Sequence, residues 1–437
     1  MELKKILIIV YYWPPSGGSG VQRWVKFVKY LKKLGWDPVI YAPSNPEYPA
    51  IDPSLDEDLP DDLRVIKRPI TEPYHLYKKL VGLKKDDKLG SGLMREEGGS
   101  GLMHRLSVWI RGNFFIPDAR KWWIKPSIRF LTELLNKERF DAIVTTGPPH
   151  SMHMIGLGLK KNTGLPWLAD FRDPWTNIDF IEDLNLSSAA RKKHEQMEQE
   201  VLDLADEIVV VSPTMRSDYS DMTDTPVTVI TNGFDTNDFA PADEGPRKDH
   251  FLLTHIGMMT STRNPETLWQ ALAGIRDKYP EKASKFKLQL IGKVDASIKA
   301  KIREYGLQEM VEVSDYVPHE QIIREQRKSH ALLLIINESP NAGLLLPGKL
   351  FEYMASGRPV ICTTPVDGDA AEVLRESGIG KVVSTYDKDA LQQQILELMD
   401  QPDIYHSKEL KPGSAVMKFS RQELTRKLTE RLESIIS

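Results

Sequence analysis

The chain has 437 residues, of which 41% are hydrophobic and 27% are charged, and its formal net charge is −4. A chain of this length is too long for one ordinary core, so we expect two domains, and its acidic balance argues against DNA or RNA as a partner. The single cysteine, Cys362, excludes a disulfide within the chain and fits a reducing compartment.

The N-terminal segment and the length of the apolar runs indicate where in the cell the protein is expected. The chain runs from Met1 directly into a strand-like segment, without the basic and apolar regions of a signal peptide. Its apolar runs are all shorter than the roughly 20 residues needed to span a bilayer. We therefore expect a cytoplasmic protein, with peripheral attachment to the inner membrane face kept open.

Short β-branched runs alternate with amphipathic helical segments, a pattern typical of parallel α/β sheets. Helices are predicted at Val21–Leu34, at Ser187–Leu204, which opens with serines able to cap it, and at Ser420–Ile436. The predicted strands are Ile6–Val10, Val39–Ala42, Leu63–Lys67, Ala142–Thr146, Trp167–Phe171, Ile208–Ser212, Val227–Thr231, Leu252–Ile256, Phe286–Ile291, Val311–Val313, Leu332–Ile336, Val360–Thr364 and Lys381–Val383.

A glycine-rich loop, Trp13–Arg23, lies between the first strand and the first helix. Its glycines allow a ligand to approach the backbone, and the helix start favours negative charge. The spacing departs from the dinucleotide fingerprint, and the second strand ends in Tyr41–Ser44 without the acidic residue that binds a ribose. The loop therefore predicts a substrate-facing turn rather than an NAD site, and a tight turn without a ligand stays open.

Residues Leu80–His104 are charged and glycine-rich, and we interpret them as a mobile loop with 86–101 at its centre. The following segment has five aromatic residues among lysines and arginines: Trp109, Phe114, Phe115, Trp122 and Trp123. Two interpretations stay open for these residues. They are either ordinary packing of helices on the sheet, or a basic-aromatic surface that contacts a membrane interface or a lipid-linked substrate.

Two motifs follow strand ends in the first half, where ligands bind in open α/β sheets. His150, in Pro-Pro-His-Ser, is a candidate proton shuttle or hydrogen-bond partner, and the alternative is a helix cap or surface histidine. Asp170, Arg172 and Asp173 form either a structural ion-pair network or a carboxylate that faces an acceptor hydroxyl. Neither a nearby histidine nor a third acid completes a metal-binding set, so we expect no metal.

The first half ends in Asn232-Gly233, a pair that favours a tight turn. The polar segment Asp235–Asp249, with two prolines and a glycine, follows it and is the predicted linker. This position places Asn232 at the expected cleft between the two domains.

The second half holds two candidate anion sites. Arg263 precedes a helix that begins at Pro265, a suitable place for a phosphate-binding cation, although an exposed arginine without a ligand is the alternative. A second helix opens with Pro-Gly at Gly348, which leaves backbone N–H groups free to hold an anion. Lys349 adds a charge there, and Glu352 lies one turn further, where it can accept hydrogen bonds from a ribose diol. This arrangement suits a nucleoside diphosphate.

Taken in order, these motifs resemble glycosyltransferase family 4, the retaining enzymes with the GT-B fold, over nearly the whole chain. The segment Lys-Leu-Phe-Glu-Tyr-Met-Ala-Ser-Gly-Arg-Pro-Val at 349–360 carries most of the resemblance. The glycine loop, Asn-Gly-Phe-Asp and the loop from Gly257 to Arg263 carry the rest. Pro-Pro-His-Ser and Asp-Phe-Arg-Asp-Pro-Trp look like segments of bacterial members that build surface polysaccharides.

The resemblance implies an α/β architecture of two Rossmann-like parallel-sheet domains that face each other across a cleft. The C-terminal helix would cross back to the first domain. We place the acceptor domain at residues 1–238, together with helix 418–437, and the nucleotide-sugar-binding domain at residues 239–417.

The resemblance also implies a donor site. Glu352 would hold the ribose hydroxyls, and Arg263, Lys349 and the backbone at Gly348 would hold the diphosphate. The glycines expected to close over the phosphates from the first domain are Gly18 and Gly20.

The remaining candidates lie in the expected first domain and beside the linker. We assign catalytic roles to His150 and Asp173, and acceptor or cleft roles to Asp170, Arg172 and Asn232. Since cations and a helix start stabilise the leaving diphosphate, no metal or other cofactor is expected. The expected partners are a UDP or GDP sugar, a glycan or lipid-linked acceptor and, as an open alternative, a membrane surface.

This chain departs from the family pattern at four positions. Leu344 stands where the first glutamate of the usual pair is found, and Pro347 replaces a glycine. Met258 stands where many members carry an arginine, and Thr146 occupies the region of an active-site histidine in several members. These changes indicate a divergent branch and leave the donor sugar open.

The leading hypothesis is a metal-independent retaining hexosyltransferase of cell-surface polysaccharide synthesis, with no protein nucleophile. A nucleotide-sugar epimerase of the same architecture is one alternative. A non-catalytic scaffold that binds a sugar nucleotide is the other, motivated by Leu344. An NAD-dependent oxidoreductase is disfavoured by the ending of the second strand.

Overall fold

The computed structural model describes residues 3–48, 51–72, 108–110, 112–178, 184–239, 245–261, 264–315, 317, 319–336, 341–402 and 413–437. The candidates Arg263 and the loop at Leu80–His104 lie outside these ranges. The chain forms two compact units. The first contains the residues up to Thr231 together with Leu424–Ser437, and the second is Asn232–Glu423.

The first unit is built on one parallel sheet of seven strands. Its strands are β1 Lys4–Ile9, β2 Trp36–Pro43, β3 Arg64–Arg68, β4 Ala142–Gly147, β5 Trp167–Phe171, β6 Glu207–Val210 and β7 Val227–Val229. They lie in the order β3-β2-β1-β4-β5-β6-β7. Its helices are α1 Ser19–Lys33, α2 Lys121–Lys137, α3 Ser151–Thr163, α4 Ser188–Leu204 and α5 Pro213–Ser220.

The second unit is built on a parallel sheet of six strands. Its strands are β8 Phe251–Ile256, β9 Phe286–Ile291, β10 Val311–Ser314, β11 Ala331–Ile335, β12 Val360–Thr363 and β13 Gly380–Val383. They lie in the order β10-β9-β8-β11-β12-β13. Its helices are α6 Glu266–Lys278, α7 Pro280–Ala283, α8 Ala296–Glu304, α9 His319–Lys328, α10 Gly348–Ala355, α11 Asp369–Ser377 and α12 Lys388–Asp400.

The sequence prediction of two parallel α/β sheets is confirmed, and all thirteen predicted strands form. Their ends differ from the prediction by up to three residues, and β2 differs most. It begins at Trp36 because Trp36 and Asp37 pair with Lys4 and Lys5 of β1, a long-range contact that local composition does not reveal. The predicted serine cap is also present, because Ser187 Oγ accepts a hydrogen bond from the Ala190 backbone N–H at 3.2 Å.

The last helix, α13 Arg421–Ile436, contributes to the core of the first unit. Leu424, Leu428 and Leu432 are buried among the apolar side chains of β1 and α1, such as Ile6 and Val28. Their spacing of four residues places them on one face of the helix. Among the helices of the described ranges, this one and all the others are too short or too polar to cross a bilayer.

A buried ion pair ties three parts of the first unit together. Arg23 of α1 and Asp170 of β5 are 0% and 1% exposed, and Arg23 Nη2 lies 2.8 Å from Asp170 Oδ1. Arg23 also donates to the backbone carbonyls of Ile230 and Thr231, at 2.9 and 2.7 Å. The ion pair therefore fixes α1, the end of β5 and the segment after β7 at the carboxyl edge of the sheet.

The carboxylate of Asp170 has no vacant oxygen. Arg23 Nε donates to Oδ2 at 3.3 Å, and Trp24 Nε1 and Thr146 Oγ1 each donate to the same oxygen at 2.8 Å. Burial by itself opposes ionisation, but the Arg23 charge and these hydrogen bonds outweigh it and hold the pKa of Asp170 below its usual value. Asp170 is therefore an ionised structural anchor, paired with Arg23 in an ion pair that the sequence analysis did not predict.

We expect Asp170→Asn to destabilise the first unit by about 3–5 kcal/mol, because it leaves the Arg23 cation buried without its counter-charge. Chemical unfolding followed by tryptophan fluorescence measures this. The matched control is Glu430→Gln, which removes an exposed partner of Arg426 and should change stability by less than about 1 kcal/mol. Equal stability of the Asp170→Asn variant and the wild type would show that the pair is not an anchor.

The same pair gives a pH dependence. Since the folded pKa of Asp170 is depressed, its stabilisation is present above the pKa of the unfolded carboxyl and is lost as pH falls through the folded pKa. The difference in unfolding free energy between wild type and Asp170→Asn should therefore shrink in acid. A difference that grows as pH falls would contradict the assignment.

Candidate functional site

The first unit has a candidate ligand position where its strand order reverses, between β1 and β4. In open α/β sheets the loops that leave the two strands at such a point diverge and leave room for a ligand. Here these loops are the glycine loop before α1 and the Pro-Pro-His segment before α3. The sequence candidates Gly18, Gly20 and His150 therefore lie at one edge of one sheet.

The guanidinium of Arg172 closes against the glycine loop. A Cβ atom at Gly20 would collide with Arg172 Nη1, so only glycine leaves room for this side chain. Arg172 Nε donates to the Gly147 carbonyl at 3.2 Å, and Nη2 donates to the Pro148 carbonyl. Gly18 precedes α1 with φ +111°, a conformation that favours glycine, and no side chain caps the helix. A cation and an uncapped helix start thus lie in the same part of the fold.

His150 is held as a neutral imidazole. It is 8% exposed, and its ring stacks on Trp175 at 4.6 Å between centroids with an interplanar angle of 7°. Burial, and then the charges of His153, His194 and Arg172, lower the pKa of His150 well below its usual value. Its side chain does not cap α3, because Asp118 does so by accepting hydrogen bonds from the Ser151 backbone N–H and hydroxyl, both at 2.8 Å.

His153 lies one turn further along α3 and is fully buried. Burial lowers the pKa of His153 to about 3, and its Nδ1 lies 2.9 Å from Thr145 Oγ1. Among the described residues, neither His153 Nε2 nor His150 Nδ1 has a hydrogen-bond partner. A Cβ atom at Gly147 would lie 2.5 Å from the first of these nitrogens and 3.3 Å from the second. Gly147 is therefore required by the close approach of both rings.

The two acids of Asp-Phe-Arg-Asp differ sharply in environment. Asp170 is buried in the ion pair with Arg23, whereas Asp173 is exposed at the carboxyl end of β5. The arginine between them, Arg172, reaches the glycine at position 20 and donates to the Gly147 carbonyl. The ligand roles of Asp173 and Arg172 stay predictions.

In the second unit the strand order reverses between β8 and β11. The residue after β8 is Gly257, and a Cβ atom there would collide with Lys349 Nζ of α10. His255 Nε2 would lie 3.4 Å from the same Cβ atom. Because His255 Nδ1 lies 3.0 Å from the Leu333 carbonyl, it must donate to that oxygen, which turns Nε2 toward Gly257. The side chains of Lys349 and His255 therefore both lie next to the backbone at Gly257, which has no side chain of its own.

Helix α10 is fixed beside this point by Tyr353, which is fully buried. Its hydroxyl accepts a hydrogen bond from the Ile256 backbone N–H at 2.9 Å, at the carboxyl end of β8. No side chain caps the start of α10, an arrangement that favours an anion beside its first turn. Gly348 and Lys349 occupy that first turn, and Glu352 lies half-buried one turn later. The structure thus brings three predicted donor residues onto one helix.

Asn232 lies at the start of the second unit and is half-buried. Two residues later, Phe234 accepts from the Arg421 backbone N–H at 2.7 Å and donates to the Phe419 carbonyl at 3.2 Å. The Asn-Gly-Phe-Asp segment is therefore paired with the chain that enters α13. The ligand role of Asn232 stays a prediction.

Two parts of these sites escaped the sequence analysis. Arg23 appeared there only as the last residue of the glycine-rich loop, although its side chain joins α1 to the end of β5 and to the segment after β7. His255 lies near the end of a strand beside the loop from Gly257 to Arg263, but no role is predicted for it from the sequence. In both cases the decisive signal is a partner more than 70 residues away in sequence.

The described ranges also show how histidine, cysteine and acidic side chains are grouped. Within them, no group of three or more histidine, cysteine, aspartate or glutamate side chains is placed to hold a metal ion.

Two protein-family models match the chain on adjoining segments. The model for glycosyl transferases group 1 matches residues 236–411, and the model for glycosyltransferase family 4 matches residues 90–238. No curated protein sequence matches the chain at a significant level.

Several solved structures resemble this one along nearly their whole length. A glycosyltransferase from Rickettsia africae ESF-5 matches with TM-score 0.62 and 18% identity, covering 100% of both chains. Trehalose-6-phosphate from E. coli bound with UDP-2-fluoro glucose matches with TM-score 0.63 and 12% identity, covering 99% of both. The lipopolysaccharide outer core galactosyltransferase WaaB matches with TM-score 0.58 and 14% identity, covering 98% of this chain and 99% of the other.

At these identities the structural matches establish the fold alone, and the family models carry the activity. The two models together span residues 90–411, across most of both sheets. The chain is a group 1 glycosyltransferase with the GT-B fold.

Proposed function

We propose that this glycosyltransferase moves a hexose from a UDP or GDP sugar to a glycan or lipid-linked acceptor in cell-surface polysaccharide synthesis, with retention of the anomeric configuration. The donor would bind at Gly348, Lys349 and Glu352 in the second unit. The acceptor would bind at the edge of the first unit that carries His150, Arg172 and Asp173.

The observation that carries the proposal is the convergence of Lys349 and an uncapped helix on Gly257. Lys349 Nζ occupies the space that a side chain at position 257 would fill, directly after β8. A diphosphate placed there would meet an ammonium group, backbone N–H groups and the positive end of α10. Glu352 then lies one helical turn away, a separation that suits the ribose of the same nucleotide.

The chemistry would rest on the leaving group rather than on a protein nucleophile. Asp170 cannot attack a sugar, because its two oxygens accept hydrogen bonds from Arg23, Trp24 and Thr146. Lys349 and the N–H groups of α10 would instead stabilise the charge that develops on the departing diphosphate. His150, whose pKa is lowered by burial well below its usual value, would act as a neutral hydrogen-bond partner of the reacting sugar or the acceptor hydroxyl. The proton of that hydroxyl would pass to an oxygen of the departing diphosphate.

Donor class and pathway are the finer parts of the proposal. The UDP-2-fluoro glucose of the E. coli neighbour supports a nucleoside diphosphate donor, and the name of WaaB supports the polysaccharide branch. We propose that the reaction needs no metal or other cofactor, since Lys349 and the helix start supply positive charge. Calorimetric titration with UDP, GDP, ADP and NAD, with magnesium and with a chelator, tests both points. Binding of NAD alone, or binding only with magnesium, would contradict the proposal.

Lys349→Met should weaken binding of the preferred nucleoside diphosphate by about 10- to 100-fold, the range expected for a lost charge-assisted hydrogen bond. Binding of the free nucleoside should change little, because it carries no phosphate. The matched control is Lys388→Met, which removes an exposed lysine from the first turn of α12. Calorimetry measures all four affinities, and equal losses for nucleoside and diphosphate would contradict the phosphate role of Lys349.

Glu352→Ala should cost about 1–3 kcal/mol of binding free energy if its carboxylate accepts the ribose hydroxyls. The sharper test compares the ribonucleoside diphosphate with its 2′-deoxy form. The wild type should prefer the ribose form, and the variant should lose that preference because the acceptor of the hydroxyl is gone. Glu372→Ala, an exposed acid in the first turn of α11, serves as the control. An unchanged preference in Glu352→Ala would remove the ribose assignment.

A further inference from the structure

Three large aromatic side chains stand exposed on one side of the first unit. Trp109, Phe114 and Trp122 are 40%, 58% and 47% exposed. They form edge-to-face contacts, with centroids 5.7 Å apart for Trp109 and Phe114 and 5.5 Å apart for Phe115 and Trp122. A cluster of exposed rings is unlike the scattered apolar residues of an ordinary surface and marks a place of contact.

The segment that presents the first two rings does not depend on them for its position. Asn113 Nδ2 donates to the Asn185 carbonyl at 3.2 Å, and Asn113 Oδ1 accepts from the Ser187 backbone N–H at 2.7 Å. A Cβ atom at Gly112 would lie 2.8 Å from the Leu184 carbonyl oxygen. Polar bonds and close backbone packing therefore hold the segment while Trp109 and Phe114 remain exposed.

Helix α2 adds positive charge to the same surface. Trp122, Lys125 and Arg129 are exposed and are three and four residues apart, so they lie along one helix face. The opposite face carries Trp123 and Leu131, which are buried. We call Trp109, Phe114, Trp122, Lys125 and Arg129 the basic-aromatic face.

A shallow groove adjoins this face. Its volume is about 400 Å³, and its walls are mostly apolar. The residues that line it are Lys125, Ile128, Arg129, Thr132, Glu133 and Asn162. Glu133 is its one acidic member and lies 3.6 Å from Arg129. The groove therefore places two cations, Lys125 and Arg129, where an anionic lipid headgroup can reach them.

A lysine ammonium group lies close to two of the aromatic rings of this region. Lys121 Nζ lies 5.2 Å from the Phe115 ring centroid and 5.9 Å from that of Trp122. Partial burial, and then the charge of Lys193, lower the pKa of Lys121. Nearby like charges are unfavourable in water, and an anionic surface would relieve their repulsion.

From these contacts we infer that the basic-aromatic face docks onto an anionic lipid bilayer, with the rings at the interface and Lys125 and Arg129 at the phosphates. Aromatic side chains favour the boundary between headgroups and acyl chains, and each basic residue adds attraction to anionic lipid. This inference concerns the first unit alone and does not depend on the proposed donor site.

The test is sedimentation of the full chain with phosphatidylcholine vesicles, made with and without phosphatidylglycerol. The wild type should bind the anionic vesicles, and added salt should weaken that binding. Replacing the three rings by Trp109→Ser, Phe114→Ser and Trp122→Ser should weaken binding by about tenfold or more. Lys125→Glu with Arg129→Glu should abolish the preference for phosphatidylglycerol while leaving the rings in place.

Matched controls come from the second unit. Tyr386→Ser removes a 78% exposed ring, and Lys299→Glu reverses an exposed charge on α8. Both controls should bind vesicles as the wild type does, and all variants should keep the wild-type thermal unfolding midpoint because every changed residue is exposed. A wild type that ignores anionic vesicles, or ring variants that bind as tightly as the wild type, would overturn the inference. A dimer that only the face variants disrupt, without any change in vesicle binding, would assign the face to a second copy and overturn it as well.

Discussion

The buried pair between Arg23 and Asp170 is the constraint on which the active edge of the first unit depends. Removing two charges from water is costly, and the structure offsets this cost by satisfying each group several times. Arg23 lies in α1, three residues after Gly20, so its anchorage fixes the position of the first turn of that helix. Arg172 can then approach Gly20 closely enough that no side chain fits between them. The ion pair between Arg23 and Asp170 therefore fixes the sheet edge at which we propose that the acceptor binds.

In the second unit, α10 is held in place by a hydrogen bond and by apolar packing. The Tyr353 hydroxyl attaches α10 to the end of β8 by accepting one hydrogen bond from a backbone N–H. The apolar face of the helix packs into the core and stabilises the same position. Leu350, Phe351 and Met354 are fully buried in the core on that face. Lys349 can therefore be held over Gly257 by a rigid helix, whereas a lysine on a loop would lose part of its binding energy to ordering.

The sequence predicted the strands, and the sheet edge at which the motifs lie, better than it predicted which side chains contact each other. All thirteen strands follow from short β-branched runs in the sequence. The motifs at the carboxyl ends of these strands lie at the edge of the sheet where ligands bind in parallel α/β folds. The roles inside the motifs depend on distant residues. Roles at the site are predicted from the sequence for both Asp170 and Asp173, but Asp170 is buried against Arg23, far away in the chain, and Asp173 is exposed. The stacking of His150 on Trp175 and the tautomer of His255 are likewise set by packing that no spacing encodes.

Leu344 stands where the family resemblance leads us to expect a glutamate. It belongs to a short 3₁₀ turn, Ala342–Leu344, that precedes α10. That turn packs closely against the start of α11, because a Cβ atom at Gly368 would lie 3.0 Å from Gly343 Cα. The backbone N–H groups of Leu344 and Leu345 already donate to the carbonyls of Asn341 and Ala342. These two N–H groups are therefore not available to a sugar, so in the proposed donor site the diphosphate at Lys349 would supply most of the donor affinity.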